Sequence, residues 1–278
     1  MTIDPAAIPL SLSYYTVPEL TPPEAVTVAA AAGCRHVGLR LLGSQPGRDP
    51  MPIMTDTALR RETLDRLADS GLSVLDVNTA RLIPETEIAA FGPFLELAAE
   101  FGARHILASG DDPDEARLTA NFAGLAEAAH RLGLTIDIEF VPWFSVNDLN
   151  AAAQMVRAVD APNLGITVDA LHFDRSAGSC DELAHLPPAW FRYAQICDAP
   201  AGGRRDRDAL IHAAVRERLF PGEGAIDLIG LLRALPPGIP LALEIPTEQL
   251  AKSVGALERV RRAVAATRRV LAAALVQD

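Results

Sequence analysis

Four polar side chains with metal-binding chemistry lie near the ends of apolar runs in the second half of the chain: Glu139, Asp169, Gln195 and Glu244. Each supplies an oxygen donor. Hard divalent ions such as Mn²⁺ and Mg²⁺ prefer oxygen ligands, and Co²⁺ is a further candidate. Zn²⁺ usually takes imidazole or thiolate ligands, which none of the four offers. The set predicts a divalent metal site if the fold brings the four segments together.

The alternation of polar and apolar residues predicts that these side chains share one face of a sheet. In Thr135–Glu139 the isoleucines take one face and Glu139 takes the other, and the same alternation separates Asp169, Gln195 and Glu244 from their apolar neighbours. Three carboxylates in one small volume raise each other's pKa, and a bound cation removes that cost. The alternative is that one or two of them are ordinary buried polar groups satisfied by neighbours.

Short β-type runs alternate with amphipathic helical segments along the chain. The predicted strands are Leu10–Val17, His36–Leu42, Val74–Leu82, His105–Gly110, Thr135–Pro142, Gly165–Phe173, Tyr193–Ala199 and Leu241–Pro246. The predicted helices are Pro22–Ala32, Asp56–Ser70, Glu85–Phe101, Pro113–Leu132, Val146–Val159, Arg207–Arg218, Ala225–Leu235 and Glu248–Ala273. Strand starts in the middle of the chain recur about every 30 residues, which is the length of one βα unit.

This strict alternation predicts a closed (β/α)8 TIM barrel, with residues 1–278 forming a single domain. A doubly wound open sheet is the alternative, but no Gly-rich phosphate loop follows the first strand. In a barrel the polar face points to the axis, and active sites lie at the carboxyl ends of the strands. Two longer connections, Gly43–Thr55 and Pro200–Asp206, follow such ends.

Composition narrows the classes of function. A formal net charge of −11 disfavours a nucleic-acid partner, which would need a basic stripe. Acidic residues interleave with the arginine cluster Arg204, Arg205, Arg207, Arg216 and Arg218, although a phosphate on a small substrate stays open there. The 3 cysteines form no close pair, no signal peptide is visible, and no apolar run reaches the roughly 18 residues of a membrane span. We therefore expect a cytoplasmic protein with no membrane partner.

Five segments resemble the xylose isomerase-like barrel superfamily, which includes sugar isomerases and epimerases, inosose and dehydroshikimate dehydratases, and endonuclease IV. They are Ile138-Glu139-Phe140-Val141-Pro142, Val168-Asp169-Ala170-Leu171-His172-Phe173, Gln195-Ile196-Cys197-Asp198, Pro221-Gly222-Glu223-Gly224 and Leu243-Glu244-Ile245. The resemblance covers nearly the whole chain but does not choose among the activities. Endonuclease IV needs more histidines than the 6 in this chain.

The resemblance implies roles for individual residues. The implied metal ligands are Glu139, Asp169, Gln195 and Glu244. Glu139 and Glu244 would also act as the acid/base pair, while His172 would bind substrate or lie beside the metal. Arg218 matches a position that often holds a substrate oxygen. Many relatives have His at the position of Gln195, and some dehydratases have His at that of Val141, so the metal and the subclass stay open.

Other residues have both a functional and a structural interpretation. His172 binds substrate or is a neutral histidine bonded to backbone, and Trp143 lines the pocket or packs beneath the next helix. Arg175 faces the pocket mouth or is a solvated loop residue. Arg40 lies on the axial face of the second strand, where it either pairs with an acid such as Asp76 or reaches an anionic group of the substrate.

The leading hypothesis is a metal-dependent isomerase or epimerase acting on a small polyhydroxylated carbonyl compound such as a keto sugar. A glutamate removes the proton beside the carbonyl, and the enediolate is reprotonated to give the isomer or epimer. A dehydratase that shares the first step is the second hypothesis, and a non-catalytic sugar-binding barrel is the third. Relatives are often dimers or tetramers, so a homo-oligomer is a further expectation.

Overall fold

Eight parallel strands form the barrel. The computed structural model describes residues 4–43, 51–202 and 206–275. The strands are β1 (Leu10–Leu12), β2 (His36–Arg40), β3 (Ser73–Leu82), β4 (His105–Gly110), β5 (Thr135–Glu139), β6 (Leu164–Asp169), β7 (Ala194–Ile196) and β8 (Leu241–Leu243). They pair in sequence order, and β8 pairs with β1 to close the ring. The predicted single-domain (β/α)8 barrel is therefore confirmed.

Helices surround this ring and connect its strands. They are α1 (Pro22–Ala31), α2 (Thr57–Ser70), α3 (Gly92–Glu100), α4 (Glu115–His130), α5 (Leu149–Val159), α6 (Ala170–Arg175), α7 (Cys180–Ala184), α8 (Arg207–Val215), α9 (Leu228–Ala234), α10 (Glu248–Ala251) and α11 (Ala256–Leu275). Within the described ranges, none is long and apolar enough to cross a membrane.

Several predicted elements were too long. The first strand ends at Leu12, and a 3-10 turn at Tyr14–Thr16 replaces its predicted continuation. The sixth strand ends at Asp169 because the Asp169 carboxylate accepts the backbone N–H groups of Leu171 and His172, and so begins α6. The single helix predicted for Glu248–Ala273 is two helices, α10 and α11.

The two long connections fall partly outside the described residues. Residues 44–50 of the first and 203–205 of the second, including Arg204 and Arg205, are outside them. The remaining parts start at the carboxyl ends of β2 and β7, as predicted.

Apolar strand residues pack outward against the helices, while polar residues point into the ring. Ile136, Ile138, Ile166 and Val168 belong to the large buried cluster between strands and helices. Inside the ring, Leu75, Leu107, Tyr193 and Ala242 form a separate buried cluster. This arrangement leaves the polar face of β5 and β6 directed to the axis, as the alternation predicted.

The amino end of the barrel carries a structural polar network. Asp137 is fully buried and accepts hydrogen bonds from Arg192 Nη1 at 2.8 Å and Thr135 Oγ1 at 2.7 Å. His105 Nδ1 lies 3.4 Å from the same carboxylate. Asp137 shares the axial face with Glu139, but these partners occupy both of its oxygens and give it a role in the fold.

Candidate metal centre and active site

The carboxyl ends of the strands open into a cavity of about 810 Å³. Its lining includes most of the residues singled out in the sequence, namely Arg40, Glu139, Trp143, His172, Arg218 and Glu244. Because all eight strands are parallel, residues at their carboxyl ends meet at this one mouth. The barrel thus brings together side chains that lie far apart in the sequence.

Glu139, Asp169 and His172 form the tightest group of candidate metal ligands. One ligand atom of each lies within 4.8 Å of the others. Glu139 and Asp169 are the last residues of the neighbouring strands β5 and β6, and His172 lies in the first turn of α6. The four ligands predicted from the sequence lack an imidazole or thiolate, which disfavours Zn²⁺. The structure adds the His172 imidazole to the group, so that reason no longer holds.

Asp169 is held in place by several donors. Its Oδ1 accepts the N–H groups of Leu171 at 2.9 Å and His172 at 3.1 Å, while Oδ2 accepts Arg218 Nη1 at 2.6 Å. Burial alone would raise the pKa of Asp169, but the Arg218 guanidinium holds it below its ordinary value. A carboxylate has about four lone-pair sites, so the ionised group retains one for a cation.

Gln195 and Glu244 lie on the next two strands around the ring. Gln195 pairs in register with Asp169 on β6 and with Ala242 on β8, and Glu244 directly follows β8. Both side chains are buried, and Gln195 Oε1 and Glu244 Oε2 have no hydrogen-bond partner within the described part of the chain. Buried acceptors without donors are costly, so these two oxygens suit a cation or a substrate hydroxyl.

The site therefore fits a divalent ion by two observations on its own atoms. Three ligands of suitable type converge, and two further oxygen donors close by lack a partner in the described residues. Two neighbouring carboxylates such as Glu139 and Asp169 both stay ionised only when a nearby positive charge offsets their repulsion. Glu139 and Asp169 are in the converging group, whereas the places of Gln195 and Glu244 in a coordination shell stay predictions.

Burial raises the pKa of the two glutamates and lowers the pKa of His172. It raises the pKa of Glu244 to about 7. It also raises the pKa of Glu139 well above its ordinary value, with further contributions from Asp169 and Glu244. Burial lowers the pKa of His172 to about 4, so this imidazole is neutral at pH 7. A carboxylate with a pKa near 7 is well suited to accept or donate a proton at neutral pH.

Two of the predicted substrate-binding residues line the cavity beside this group. The Trp143 ring lies edge-on to His172, with ring centroids 5.3 Å apart. Arg218 is almost fully buried and donates from Nε to the Ala214 carbonyl at 3.0 Å in addition to its bond with Asp169. Trp143 and Arg218 line the cavity, which supports a role in substrate binding. Their contacts with His172, Asp169 and Ala214 are equally compatible with a structural role.

Arg175 does not join the residues that line the cavity in the described structure. Its guanidinium pairs with Asp174, and Nη2 donates to the Pro200 carbonyl at 3.0 Å. These contacts hold the loop after α6 against the segment after β7. They do not support the prediction that Arg175 faces the substrate.

Arg40 lines the cavity but does not form the buried pair with Asp76 that the sequence analysis considered. Its Nε donates to the Leu42 carbonyl at 3.0 Å, and its guanidinium lies over the rings of Tyr14 and Tyr15. Both Asp76 oxygens are buried without a partner in the described chain. Tyr14 and Tyr15 are not among the site residues predicted from the sequence. Their place towards the carboxyl end of the predicted first strand, Leu10–Val17, is the signal that could have found them.

A family model described as a xylose isomerase-like TIM barrel matches residues 26–270. The chain belongs to the xylose isomerase-like TIM barrel family. The resemblance predicted from the sequence is therefore confirmed. Membership in this family accounts for the closed barrel and for the cavity at its carboxyl end.

Individual relatives of this xylose isomerase-like barrel differ in activity. A 3-dehydroshikimate dehydratase of Pseudomonas aeruginosa is 30% identical over 200 residues, which is 72% of this chain and 28% of that protein. An inosose isomerase of Bacillus subtilis is 31% identical over 116 residues, covering 40% of this chain and 38% of that one. The aligned regions thus span well under half the length of these curated relatives.

Solved structures show the same fold. A crystal structure of the IOLI protein with a bound zinc atom has a TM-score of 0.74 and 19% identity, and the match covers 95% of this chain and 98% of that chain. The similar proteins include isomerases, dehydratases and epimerases. The names of these similar proteins thus describe more than one kind of reaction.

Proposed function

We propose that this chain is a divalent-metal-dependent enzyme that removes a proton from the carbon next to a carbonyl in a small polyhydroxylated substrate. The convergence of Glu139, Asp169 and His172 at the barrel mouth carries this proposal. A divalent ion held there would polarise the carbonyl and neighbouring hydroxyl oxygens and acidify the adjacent C–H group.

Glu139 and Glu244 supply the proton transfers. Glu244, with a buried Oε2 that accepts no hydrogen bond from the described residues and a pKa of about 7, is the base that takes the proton. The electron pair of the C–H bond moves into the new C=C bond, and the carbonyl oxygen takes the charge. Glu139, whose pKa is raised, carries a proton to the other side of the reacting centre.

We further propose that the reaction ends in loss of water. The carbonyl re-forms, the electron pair returns to make a double bond to the neighbouring carbon, and the hydroxyl there leaves with the proton from Glu139. The similarity to the dehydratase extends over 72% of this chain, against 40% for the inosose isomerase, and this extent favours the dehydratase outcome. The isomerase or epimerase, which is the leading hypothesis from the sequence, stays the second candidate.

An isomerase or epimerase is the second candidate. If Glu139 gives its proton to carbon instead of to a leaving hydroxyl, the same enediolate yields the isomer or epimer. The placement of two glutamates with raised pKa at one cavity favours this outcome. A non-catalytic barrel would gain nothing from this arrangement of acids.

A substrate panel with added Mn²⁺ in D₂O tests the proposal. The panel contains 3-dehydroshikimate, inososes and keto sugars, and mass spectrometry follows deuterium uptake and loss of water. We expect exchange at the carbon beside the carbonyl for at least one compound, accompanied by an unsaturated product that absorbs in the ultraviolet. Exchange with an isomeric product and no dehydration would select the second candidate, and no exchange with any compound would reject both.

Glu139→Gln and Glu244→Gln test the assignment of the proton transfers. Each substitution removes a proton-transfer group, so we expect turnover to fall by at least about 100-fold while circular dichroism shows an intact fold. Glu100→Gln is the matched control, because this exposed glutamate ends α3 at the opposite end of the barrel. Near-normal rates in both test variants would show that neither glutamate is the base.

The identity of the ion is part of the proposal. The oxygen-rich set favours Mn²⁺ or Mg²⁺, with Co²⁺ next, while His172 and the zinc-bound relative make Zn²⁺ a candidate that must be tested beside them. A cytoplasmic location and a homo-oligomeric state stay predictions from the sequence.

A further inference from the structure

Arg40 is a buried cation without an acidic partner in the described residues. Arg40 is the last residue of β2, at the barrel mouth, and it is only 7% exposed. Its Nε donates to the Leu42 carbonyl at 3.0 Å, and the guanidinium also interacts with the Tyr15 hydroxyl. A buried arginine normally pairs with a carboxylate because desolvation of its charge is expensive. Neither terminal nitrogen of the guanidinium pairs with a carboxylate in the described residues, so a ligand in the cavity can supply that partner.

Two aromatic rings fix the direction of this guanidinium. Its Cζ lies 4.9 Å from the centroid of the Tyr15 ring and 5.2 Å from that of Tyr14. Cation–π contacts of this kind orient a planar guanidinium without neutralising its charge. Arg40 lines the same cavity as Glu139 and Glu244, and it is close enough to Glu244 to lower the pKa of that carboxyl. The cation thus faces the reacting centre.

Arg218 shows what Arg40 lacks. The Arg218 guanidinium, which lines the same cavity, is paired with the Asp169 carboxylate at 2.6 Å. Within the described residues no carboxylate hydrogen-bonds to Arg40, whose Nε donates to the Leu42 carbonyl instead. A carboxylate of the substrate would supply the acidic partner that this guanidinium lacks.

We propose that Arg40, oriented by Tyr14 and Tyr15, binds a carboxylate of the substrate and makes the enzyme specific for hydroxylated keto acids over neutral sugars. The planar guanidinium offers two parallel N–H groups that match the two oxygens of a carboxylate. This inference rests on the proposed function and narrows its substrate class. Arg40 sets affinity and orientation in this proposal, while the proton transfers belong to the glutamates.

Binding of a matched ligand pair tests this inference without requiring turnover. The probes are shikimate, in which a hydroxyl replaces the carbonyl of 3-dehydroshikimate so that no adjacent C–H group is acidified, and its methyl ester. The two differ in the carboxylate charge, and titration calorimetry measures Kd for the Mn²⁺-loaded protein. We expect the acid to bind about 10- to 100-fold more tightly than the ester, as a charge-assisted hydrogen bond allows. Equal binding of the two, or no binding of the acid, would overturn the proposal.

Arg40→Met and Arg40→Lys test whether Arg40 causes the tighter binding of the acid over the ester. Methionine keeps much of the chain length but removes the charge, so the Kd of the acid should rise by about 10- to 100-fold while that of the ester changes less than about threefold. Lysine keeps the positive charge but lacks the two parallel N–H groups of the guanidinium, so the Kd of the acid should be intermediate. A merely structural role of Arg40 would weaken the binding of both probes equally and would contradict the proposal.

Two controls exclude trivial causes. Arg216→Met removes an arginine that also lines the cavity but is paired with Glu248 at 2.7 Å, so both Kd values should stay within about twofold. The ligand-free Tm of Arg40→Met should equal or exceed that of the wild type, because an uncompensated buried charge is removed. A large drop in Tm would assign Arg40 to the fold instead. Fructose 6-phosphate serves as the phosphate probe, and tight Arg40-dependent binding of it would also contradict a carboxylate site.

The outcomes separate this inference from the proposed function. Acid binding that depends on Arg40, with no deuterium exchange in any compound, would keep the inference and reject the enzymatic proposal. Exchange in a neutral inosose, with no acid preference, would keep the enzymatic proposal and reject the inference. With both correct, Arg40→Met raises KM for 3-dehydroshikimate by about 10-fold or more and changes kcat much less.

Discussion

Four buried carboxylates in this barrel titrate differently because their neighbours differ. Burial alone would raise the pKa of Asp137 and of Asp169, but His105 and Arg192 around the first, and Arg218 beside the second, hold both below the ordinary value. Among the described residues no cation hydrogen-bonds to Glu244 or Asp76, and burial raises the pKa of Glu244 to about 7 and that of Asp76 to about 8. The paired acids hold the structure together, and the others can carry protons.

Asp76→Asn should stabilise the protein and flatten its pH dependence. The native Asp76 carboxyl, with a pKa of about 8, keeps its proton at pH values where the unfolded chain has lost it. The folded state then binds more protons, so the free energy of unfolding falls as pH rises from about 4 to about 8, by up to about 1.4 kcal/mol per pH unit. Asparagine is neutral in both states and lacks this penalty.

Urea unfolding at pH 5 and pH 8 measures this effect. The wild type should lose stability between the two pH values, and the gain of Asp76→Asn over wild type should be larger at pH 8. Asp65→Asn, at an exposed position on α2, should leave the wild-type slope unchanged. If Asp76→Asn destabilises the protein at both pH values, Asp76 is ionised and paired in solution.

The turn between α8 and α9 is organised by a single carboxylate at the end of β7. Asp198 accepts the N–H groups of Gly222 and Gly224 at 2.9 and 3.0 Å, and those of Ile226 and Ala199 at 3.1 and 2.8 Å. Its backbone also forms an antiparallel bridge with Leu219. Because Leu219 follows Arg218, this turn positions the guanidinium that contacts Asp169.

Asp198→Ala should lower stability and activity together. The substitution leaves four N–H groups without their acceptor, so we expect a loss of about 2–4 kcal/mol in the free energy of unfolding and a lower kcat as Arg218 shifts. Urea unfolding and steady-state kinetics give the two values. The control, Asp227→Ala, removes only the cap of α9 and should cost about 1 kcal/mol with kcat unchanged. Equal losses in both variants would argue against a special role of Asp198.

The order and faces of the strands could be predicted from the sequence, whereas their ends could not. Alternation of polar and apolar residues is a local property, and it placed Glu139 and Asp169 correctly on the axial face. Where a strand ends depends on contacts made elsewhere, such as the Asp169 side chain that caps α6. The same dependence explains why the convergence of His172 with two carboxylates, and the position of Arg40 over Tyr14 and Tyr15, required the fold.

Buried polar groups in the barrel differ in how completely other residues satisfy them. At the amino end, Asp137 is satisfied by Arg192 and Thr135, and it has no oxygen left without a partner. At the carboxyl end, Gln195, Glu244 and His172 each keep a buried polar atom without a hydrogen bond to the described residues. Unsatisfied polar atoms cost free energy of folding, and a ligand that satisfies them restores it.

This relation predicts that metal binding stabilises the whole molecule. An ion at about 100 times its Kd adds about 2.7 kcal/mol to the free energy of unfolding, which raises the Tm by about 5 °C or more in a chain of this size. Thermal unfolding of chelator-treated protein with added Mg²⁺, Mn²⁺, Co²⁺ or Zn²⁺ measures the shift for each ion. No shift with any of them would remove the metal site from the proposed function.

Substitutions at the site decide which atoms bind the ion. Glu139→Gln should abolish the shift for all four ions, because an amide replaces a charged ligand in the converging group, while the distant Glu100→Gln should keep it. His172→Gln should reduce the shift for Zn²⁺ and Co²⁺ more than for Mg²⁺, since only the borderline ions gain from an imidazole ligand. Equal loss for every ion in His172→Gln would instead mean that the ring acts by packing against Trp143 and holding α6 in place.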